Sequence, residues 1–390
     1  DTHGKNVAIG QEALSLQDAG ADAHNVAVGH NAGKVMSTGT ENTLIGGLAG
    51  DSLTTGSANV AVGYLALSAE DAHGTNTAIG FKTLRVQDAG ANVYNVAVGY
   101  QAGENVTTGA YNTLVGGLAG DALTTGNDNI AVGVNALSTE DAHGRNVAIG
   151  RDALKLQNAG ADAYNTAVGY VAGANVTTGT ANTLIGGQAG DALTTGHYNV
   201  ALGYGALGSE DAHSANVAIG ANALLTLNAG ADGFNVAIGH DAGKLMTTGV
   251  GNTILGGLAG DALTTGAHNV AIGYEALGAE DVGGKNVAIG RRALKVLDGV
   301  ADGFNTVIGY EAGDAVSSGD ENTIIGANAG GLVTSGQKNT IIGEGANVAS
   351  GGGGVDNAIA IGHDAEALGA NTTVIGTATT TNAIVYGLRK

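Results

Sequence analysis

Residues 95–126 read NVAVGYQAGENVTTGAYNTLVGGLAGDALTTG, and this stretch carries the pattern that decides the fold. It contains two copies of a five-residue motif, Asn-x-Ala-Val-Gly. One begins at Asn95, and a variant with Leu in place of Ala begins at Asn112. Each copy is followed by an Ala-Gly pair and then by Thr-Thr-Gly. A strand-sized motif that returns at a fixed period is the signature of a solenoid.

The motif, with Val, Ile or Leu in its fourth position, recurs about 22 times when two stretched copies near the C-terminus are included. Its copies are spaced by 19, 17, 17 and 17 residues, and the resulting block of 70 residues starts at positions 6, 76, 146, 216 and 286. We expect one coil per motif. The repeat Asn residues are Asn6, Asn25, Asn42, Asn59, Asn76, Asn95, Asn112, Asn129, Asn146, Asn165, Asn182, Asn199, Asn216, Asn235, Asn252, Asn269, Asn286, Asn305, Asn322 and Asn339.

The pattern within each coil predicts strands and turns. Every apolar run is four or five residues long and ends on Gly, which is too short for a typical helix. A looser stretch such as residues 64–67 follows, so we expect two short strands per coil, with Gly at positive φ in turns such as Thr54-Thr55-Gly56. The predicted fold is all-β, a parallel β-solenoid or β-roll of about 22 short coils. At about 4.8 Å per coil it forms a rod of roughly 105 Å.

The same pattern sets the expected domain organisation and the expected faces of the strand. Residues 1–356 form the predicted shaft, and residues 357–390 form divergent C-terminal coils with a closing segment. Ala8 is expected to face a thin lumen, while Val7 and Ile9 point the other way. That outward apolar stripe favours self-association along the rod. The inverse assignment, with the branched residues inside, stays open.

Composition excludes several classes of partner. The net charge is −20, so there is no basic stripe for nucleic acid. No apolar run of 18 residues is present, so we expect no membrane insertion by this segment. Apolar residues make up 43% of the chain and recur in register, which indicates an ordered protein. The chain begins without a leader sequence, and we expect it to be a segment of a longer protein.

Two structural roles suit the repeat Asn. Stacked at one coil position, the side-chain amides would form a ladder that bonds to the coils above and below. Alternatively, Asn tolerates the turn conformation needed before a strand. Neither role involves chemistry.

The repeats of residues 95–126 resemble the head repeats of trimeric autotransporter adhesins and the related repeats of phage and viral tail fibres. The Tyr-x-Ala-Gly form at residues 100–103 is more similar to the tail fibres, and residues 372–390 resemble the closing segment of viral fibres. The resemblance implies a homotrimer that is extracellular, on a virion tail fibre or a cell surface. It also implies that the partner, besides the chain itself, is a host cell-surface glycan or protein.

The loops that lengthen each 19-residue coil are the candidate surface-binding sites, because protruding loops on a rigid scaffold often carry binding. A mere bulge is the commoner outcome for such a loop. The loop residues in question are Asp18, Asp22, Asp88, Asn92, Asn158, Asp162, Asn228, Asp232, Asp298 and Asp302.

Another repeated segment combines carboxylates with an imidazole. Glu70-Asp71-Ala72-His73 recurs at 140–143 and 210–213, and it loses its His at 280–283. Carboxylate and imidazole could ligate a divalent cation, but the loss of His favours a solvated corner. We expect no metal and no cofactor.

Enzyme motifs are missing from the sequence, so no catalytic residue is expected. The predicted function is a structural fibre protein, an elongated trimeric shaft that projects or contributes to host-surface attachment. A bacterial trimeric surface adhesin head and an ice- or carbohydrate-binding solenoid module are the alternatives. A fibre-borne glycan hydrolase would need an acidic pair in a groove, whereas the acids here lie in repeated turns.

Overall fold

A computed structural model describes residues 4–299 and 302–377 of the chain. The chain divides into two compact units, Asp1–Asn199 and Val200–Lys390. Both are all-β, no helix occurs among the described residues, and the two units together contain about 22 coils of parallel β-solenoid. The predicted fold class is therefore confirmed. Part of the predicted closing segment, residues 378–390, lies outside the described residues.

Each coil of the first unit contributes one three-residue strand. The strands are β1 Val7–Ile9, β2 Val26–Val28, β3 Thr43–Ile45, β4 Val60–Val62, β5 Thr77–Ile79, β6 Val96–Val98, β7 Thr113–Val115, β8 Ile130–Val132, β9 Val147–Ile149, β10 Thr166–Val168 and β11 Thr183–Ile185.

The second unit continues the same pattern and adds two short strands near its end. Its strands are β12 Val200–Leu202, β13 Val217–Ile219, β14 Val236–Ile238, β15 Thr253–Leu255, β16 Val270–Ile272, β17 Val287–Ile289, β18 Thr306–Ile308, β19 Thr323–Ile325, β20 Thr340–Ile342, β21 Asn347–Val348, β22 Ile359–Ile361, β23 Glu366–Ala367 and β24 Thr373–Ile375.

Within each unit, strands of successive coils pair in parallel with equivalent positions opposite each other. In β6 and β7, for example, Val96 pairs with Thr113 and Ala97 with Leu114. β21 and β23 form a separate pair on another side of the last coils. This register places each residue of the motif above its own counterpart, so a property repeated in the sequence becomes a row in space.

The middle residue of the strand faces the interior. Ala97 and Leu114 are fully buried, as is the middle residue of every strand from β2 to β20 and of β22. The residues on either side point outward, and Val96 is 37% exposed. In the strands with Ala in the middle, the structure thus places the small residue inside and the branched residues outside, which decides the alternative that the sequence left open; the other strands place Leu, Ile or Val at the interior position.

The expectation of two strands per coil is wrong for most coils. After the strand Gly the chain forms a run of turns, and among residues 4–299 and 302–377 a second strand exists only as β21 and β23. Alternate residues of the turn run, such as Leu65 with φ 55° and Leu67 with φ 51°, occupy the left-handed region. A chain that alternates in this way cannot be extended, so the turn run of these coils forms no second strand.

Gly meets two different needs in the coil. Gly116, at the strand exit, has φ 140°, and a Cβ there would lie 2.4 Å from the carbonyl oxygen of Gly133. Gly126, in a Thr-Thr-Gly corner, was expected to need a positive φ, but it does not have one. Its Cβ would meet the carbonyl oxygen of His143 at 2.4 Å, so close stacking of the coils demands Gly here.

Candidate functional site

The repeat Asn residues form a buried ladder within each unit. The backbone N–H of Asn112 donates to Oδ1 of Asn95 over 2.8 Å, and Nδ2 of Asn95 donates to the carbonyl of Gly109 over 2.7 Å. The same pair of bonds recurs at Asn112, which accepts from Asn129 and donates to Gly126. In this ladder the side-chain oxygen of each repeat Asn thus accepts from the backbone N–H of the next repeat Asn. Bonds between two side-chain amides are less common. All repeat Asn residues except Asn6 are buried.

The Nδ2 bond of the ladder is altered in the long coils. In a 17-residue coil the acceptor lies 14 residues after the Asn, as Gly109 does in the coil of Asn95. In the 19-residue coils of Asn76 and Asn146 the extra loop occupies that position, and Nδ2 finds no partner among the described residues. Asn286 donates instead to the carbonyl of Gly284. Two inserted residues thus remove one corner acceptor in each block.

The candidate binding loops lie at the surface, and their polar residues are partly used to hold the coils together. Oδ1 of Asn92 accepts from the backbone N–H of Gly74 at 2.9 Å, and Asp162 and Asp232 accept equivalent bonds from residues 144 and 214. Asp22 and Asp302 form ion pairs with Lys5 and Lys285. In Asp18, Asp88, Asn158, Asn228 and Asp298 the backbone N–H donates to a carbonyl one coil further on.

The expectation that Glu-Asp-x-His is a solvated corner is wrong for the Glu. Glu70, Glu140, Glu210 and Glu280 have no exposed surface. Oε1 of Glu70 accepts from the backbone N–H of His73 at 3.1 Å, which folds the side chain inward. The imidazole of His73 is 27% exposed, so this residue does remain at the surface.

A signal for this burial was present in the sequence. Glu70 lies 11 residues after its repeat Asn, as Met36 and Leu53 do in the two preceding coils. Those two side chains are fully buried. The apolar residues found 11 residues after the repeat Asn in other coils thus indicated that this position faces the interior. The same pattern implied that the Glu at this position points inward.

Burial changes the proton affinity of these carboxyls. Loss of hydration raises the pKa of Glu70 to about 7, against the opposing hydrogen bond from His73, and the charge of Asp88 adds to the rise. Burial likewise raises the pKa of Glu140 and brings the pKa of Glu280 to about 6. An ionised carboxylate at these positions is costly unless a proton or a cation neutralises it.

Outward side chains of the strands form two rows along each unit. At the third strand position every residue from β1 to β11 is Val or Ile. In the three-residue strands of the second unit it is Ile or Leu. Ile9 is 60% exposed, while Ile79 and Ile149 are each 38% exposed. Val, Ile and Thr fill the first strand position. Together these positions form the apolar strand face.

Exposed aromatic side chains stack from coil to coil beside this face. The rings of Tyr64 and Phe81 lie 5.8 Å apart, those of Phe81 and Tyr100 lie 5.4 Å apart, and Tyr94 stacks on Tyr111 at 5.8 Å. All five remain at least 39% exposed. The rings therefore cover neighbouring coils of the same chain while keeping area for another partner.

Neither a scan against protein-family models nor a search of curated proteins finds a match for this chain. The described part of the chain contains no helix with the length and apolar character needed to cross a membrane.

Proposed function

We propose that the chain is a structural fibre protein whose homotrimeric shaft projects from a virion tail fibre and contributes to host-surface attachment. The observation that carries this proposal is the apolar strand face, which repeats without interruption at the third strand position in both units. Its side chains remain partly exposed although the interior is already filled by Ala and Leu. The face therefore serves no purpose in the core of its own coil.

The size of the apolar strand face supports association. Eleven strands at about 4.8 Å each give a row of roughly 50 Å in one unit, which at a width of two side chains is on the order of 500 Å². That is at the upper end of the apolar patches on soluble monomers, where such patches are often functional. Burying a Val or Ile side chain contributes about 1.5–3 kcal/mol, so many half-exposed residues give a large gross gain on association.

The trimeric state and the viral owner follow from the resemblance of the repeats to tail-fibre and trimeric adhesin repeats. An extracellular location on the virion is part of the same proposal. A bacterial trimeric adhesin head is the alternative owner, and it would use the apolar strand face in the same way. The partner in either case is the chain itself, with a host glycan or protein as the surface that is touched.

A second candidate, a carbohydrate-binding module, is favoured by the exposed stacked rings. Tyr64, Phe81 and Tyr100 stack on one another in adjacent coils, and their exposed edges and two phenol hydroxyls form a row that a sugar can contact. An ice-binding surface has less support, because the hydroxyls of Thr54 and Thr124 donate to the carbonyls of Asp71 and Asp141.

Light scattering and sedimentation velocity on the 37.8 kDa chain test the fibre proposal. We expect three times the chain mass and a high frictional ratio. The variant Ile79→Lys/Ile149→Lys places charge on the apolar strand face and should lower the mass to that of a monomer, because burying an unpaired ammonium opposes association. The control is Leu156→Lys, since Leu156 is 39% exposed but lies in the turn run.

The Leu156→Lys variant should keep the wild-type mass. A wild-type protein of monomer mass would contradict self-association, and a double variant that keeps the wild-type mass would assign the contact to another face.

A further inference from the structure

The corners of the first two blocks bring three metal-ligating side chains together. Atoms of Glu70, Asp71 and His73 that can ligate a metal lie within 4.8 Å of one another, and residues 140, 141 and 143 repeat the arrangement. Nδ1 of His73 is 3.5 Å from Oε1 of Glu70, and the same two atoms of the second corner are 3.6 Å apart. Ligands at 2.0–2.1 Å from a tetrahedral ion stand about 3.3 Å apart, which is close to these distances.

Two buried polar atoms at each corner make no hydrogen bond within the described part of the chain. Oε2 of Glu70 and Nδ1 of His73 make no hydrogen bond to any described residue, and the same is true of Oε2 of Glu140 and Nδ1 of His143. Glu70 and Glu140 have no exposed surface, so bulk solvent does not reach these carboxylates. A buried polar group without a hydrogen bond is destabilising, and more so when it is charged. A cation would supply the missing partner.

The corner is held in place by the ladder and by the neighbouring coil. Nδ2 of Asn59 donates to the carbonyl of His73 at 3.1 Å, while the N–H of His73 donates to Oε1 of Glu70. The hydroxyl of Thr54 donates to the carbonyl of Asp71 at 2.8 Å. The backbone beneath the three side chains is thus fixed before any ion arrives, which reduces the cost of ordering a site.

We propose that the Glu70–Asp71–His73 corner and the Glu140–Asp141–His143 corner each bind one divalent transition-metal ion. One imidazole nitrogen and two carboxylates form a ligand set that suits Zn²⁺, with water completing the coordination. The net charge of −20 and the nearby Asp88 carboxylate favour a cation at the first corner. Each ion would neutralise an interior carboxylate and fix the corner at the end of its block.

The other two corners differ in ways that make them useful for comparison. In the third corner Nδ1 of His213 lies 2.9 Å from Oε1 of Glu210, within hydrogen-bond distance. In the fourth corner Gly283 stands where the others have His, so no imidazole is available. Asp298 brings a third carboxylate to Glu280 and Asp281 there, and both oxygens of Glu280 accept from backbone N–H groups. The fourth corner therefore provides the control that has the same buried Glu, already hydrogen-bonded, and no nitrogen ligand.

Zinc binding by the full chain tests the proposal. The protein is stripped with a chelator, loaded with ZnCl₂ and freed of excess metal, and zinc per chain is then measured by atomic absorption. We expect Glu70→Gln/Glu140→Gln to bind two fewer zinc ions than the wild type, whereas Glu280→Gln binds as many as the wild type. His73→Ala/His143→Ala, which keeps the buried Glu residues, should weaken zinc binding at both corners at least tenfold in calorimetry.

Circular dichroism establishes that each variant keeps its β-structure before zinc is counted. A wild-type chain with no zinc above background would overturn the proposal. It would mean that protonation alone neutralises these buried carboxylates. Equal zinc content in the wild type and in the Glu70→Gln/Glu140→Gln variant would overturn it as well.

Discussion

At Asn112, a single side chain satisfies backbone groups in two neighbouring coils. Its Oδ1 accepts from the N–H of Asn129 at 3.0 Å, and its Nδ2 donates to the carbonyl of Gly126 at 2.8 Å. The position is fully buried, so the side chain must offer a donor and an acceptor without carrying charge. Ser and Thr carry donor and acceptor on one oxygen, whereas Asn carries them on separate atoms that reach two backbone groups, which explains why Asn returns in nearly every coil.

The altered ladder in the long coils allows a direct test of the Nδ2 bond. Asn112→Ala removes both bonds and leaves the N–H of Asn129 and the carbonyl of Gly126 without their partner. Asn76→Ala leaves only the N–H of Asn95 without its partner, because Nδ2 of Asn76 makes no bond to a described residue. We expect Asn112→Ala to lower the free energy of unfolding by about 2–4 kcal/mol, and by about 1 kcal/mol more than Asn76→Ala. Urea denaturation measures both variants, and equal losses would argue against a stabilising role for the Nδ2 bond.

At the scale of the coil, the strand and the turn run have different structural roles. The three-residue strand pairs in parallel with the strands of the neighbouring coils, and its middle residue points into the interior. The turn run supplies larger interior side chains, such as Leu67 and Leu84, which fill the space opposite the Ala rows. A small residue on one wall and a Leu on the other keep the interior packed with few voids.

These roles predict that a larger side chain destabilises the protein at the interior position of β6 and is tolerated at the adjacent outward position. Ala97→Leu adds three carbons beside Leu114 in a filled interior and should cost about 1–3 kcal/mol of stability. Val96→Leu, on the outward face, should change stability by no more than about 0.5 kcal/mol. Thermal and urea unfolding of the two variants provide the comparison. A larger loss for Val96→Leu would mean that the branched residues face the interior.

At the scale of the whole molecule, the buried Glu280 makes stability depend on pH. Burial raises the pKa of Glu280 from 4.5 to about 6, with the charges of Asp281 and Asp298 acting in the same direction. Because the folded-state pKa is the higher one, this residue favours folding at low pH. Its contribution is complete below about pH 4.5, falls as the pH rises through 6 and stays lost above that.

We therefore expect the wild type to lose about 2 kcal/mol of stability relative to Glu280→Gln between pH 4.5 and pH 7, since 1.5 pKa units correspond to about that energy. The amide oxygen of Gln can still accept the bond that Gly283 donates to Glu280. Urea denaturation at both pH values, with a chelator present, measures the difference. The comparison cancels the titration of other groups, and parallel pH profiles for the two proteins would contradict the prediction.

Much of the molecule was predictable because the repeats are local in sequence. A motif of alternating residues closed by Gly specifies a short strand, and a period of 17 or 19 residues places equivalent positions above each other. The turn run was misjudged because its alternating left-handed residues, such as Leu65 and Leu67, carry apolar side chains typical of a strand. The buried Glu was missed because its charge favoured a solvated turn over an interior position.

The sequence by itself determined the all-β solenoid, the number of coils and the position of the Asn ladder, because these follow from spacing alone. Only the tertiary structure decided which strand face is interior and that most coils have one strand. Those properties depend on what the next coil places against each side chain. Neighbouring coils are 17 or 19 residues apart in the chain, so a local pattern does not carry that information.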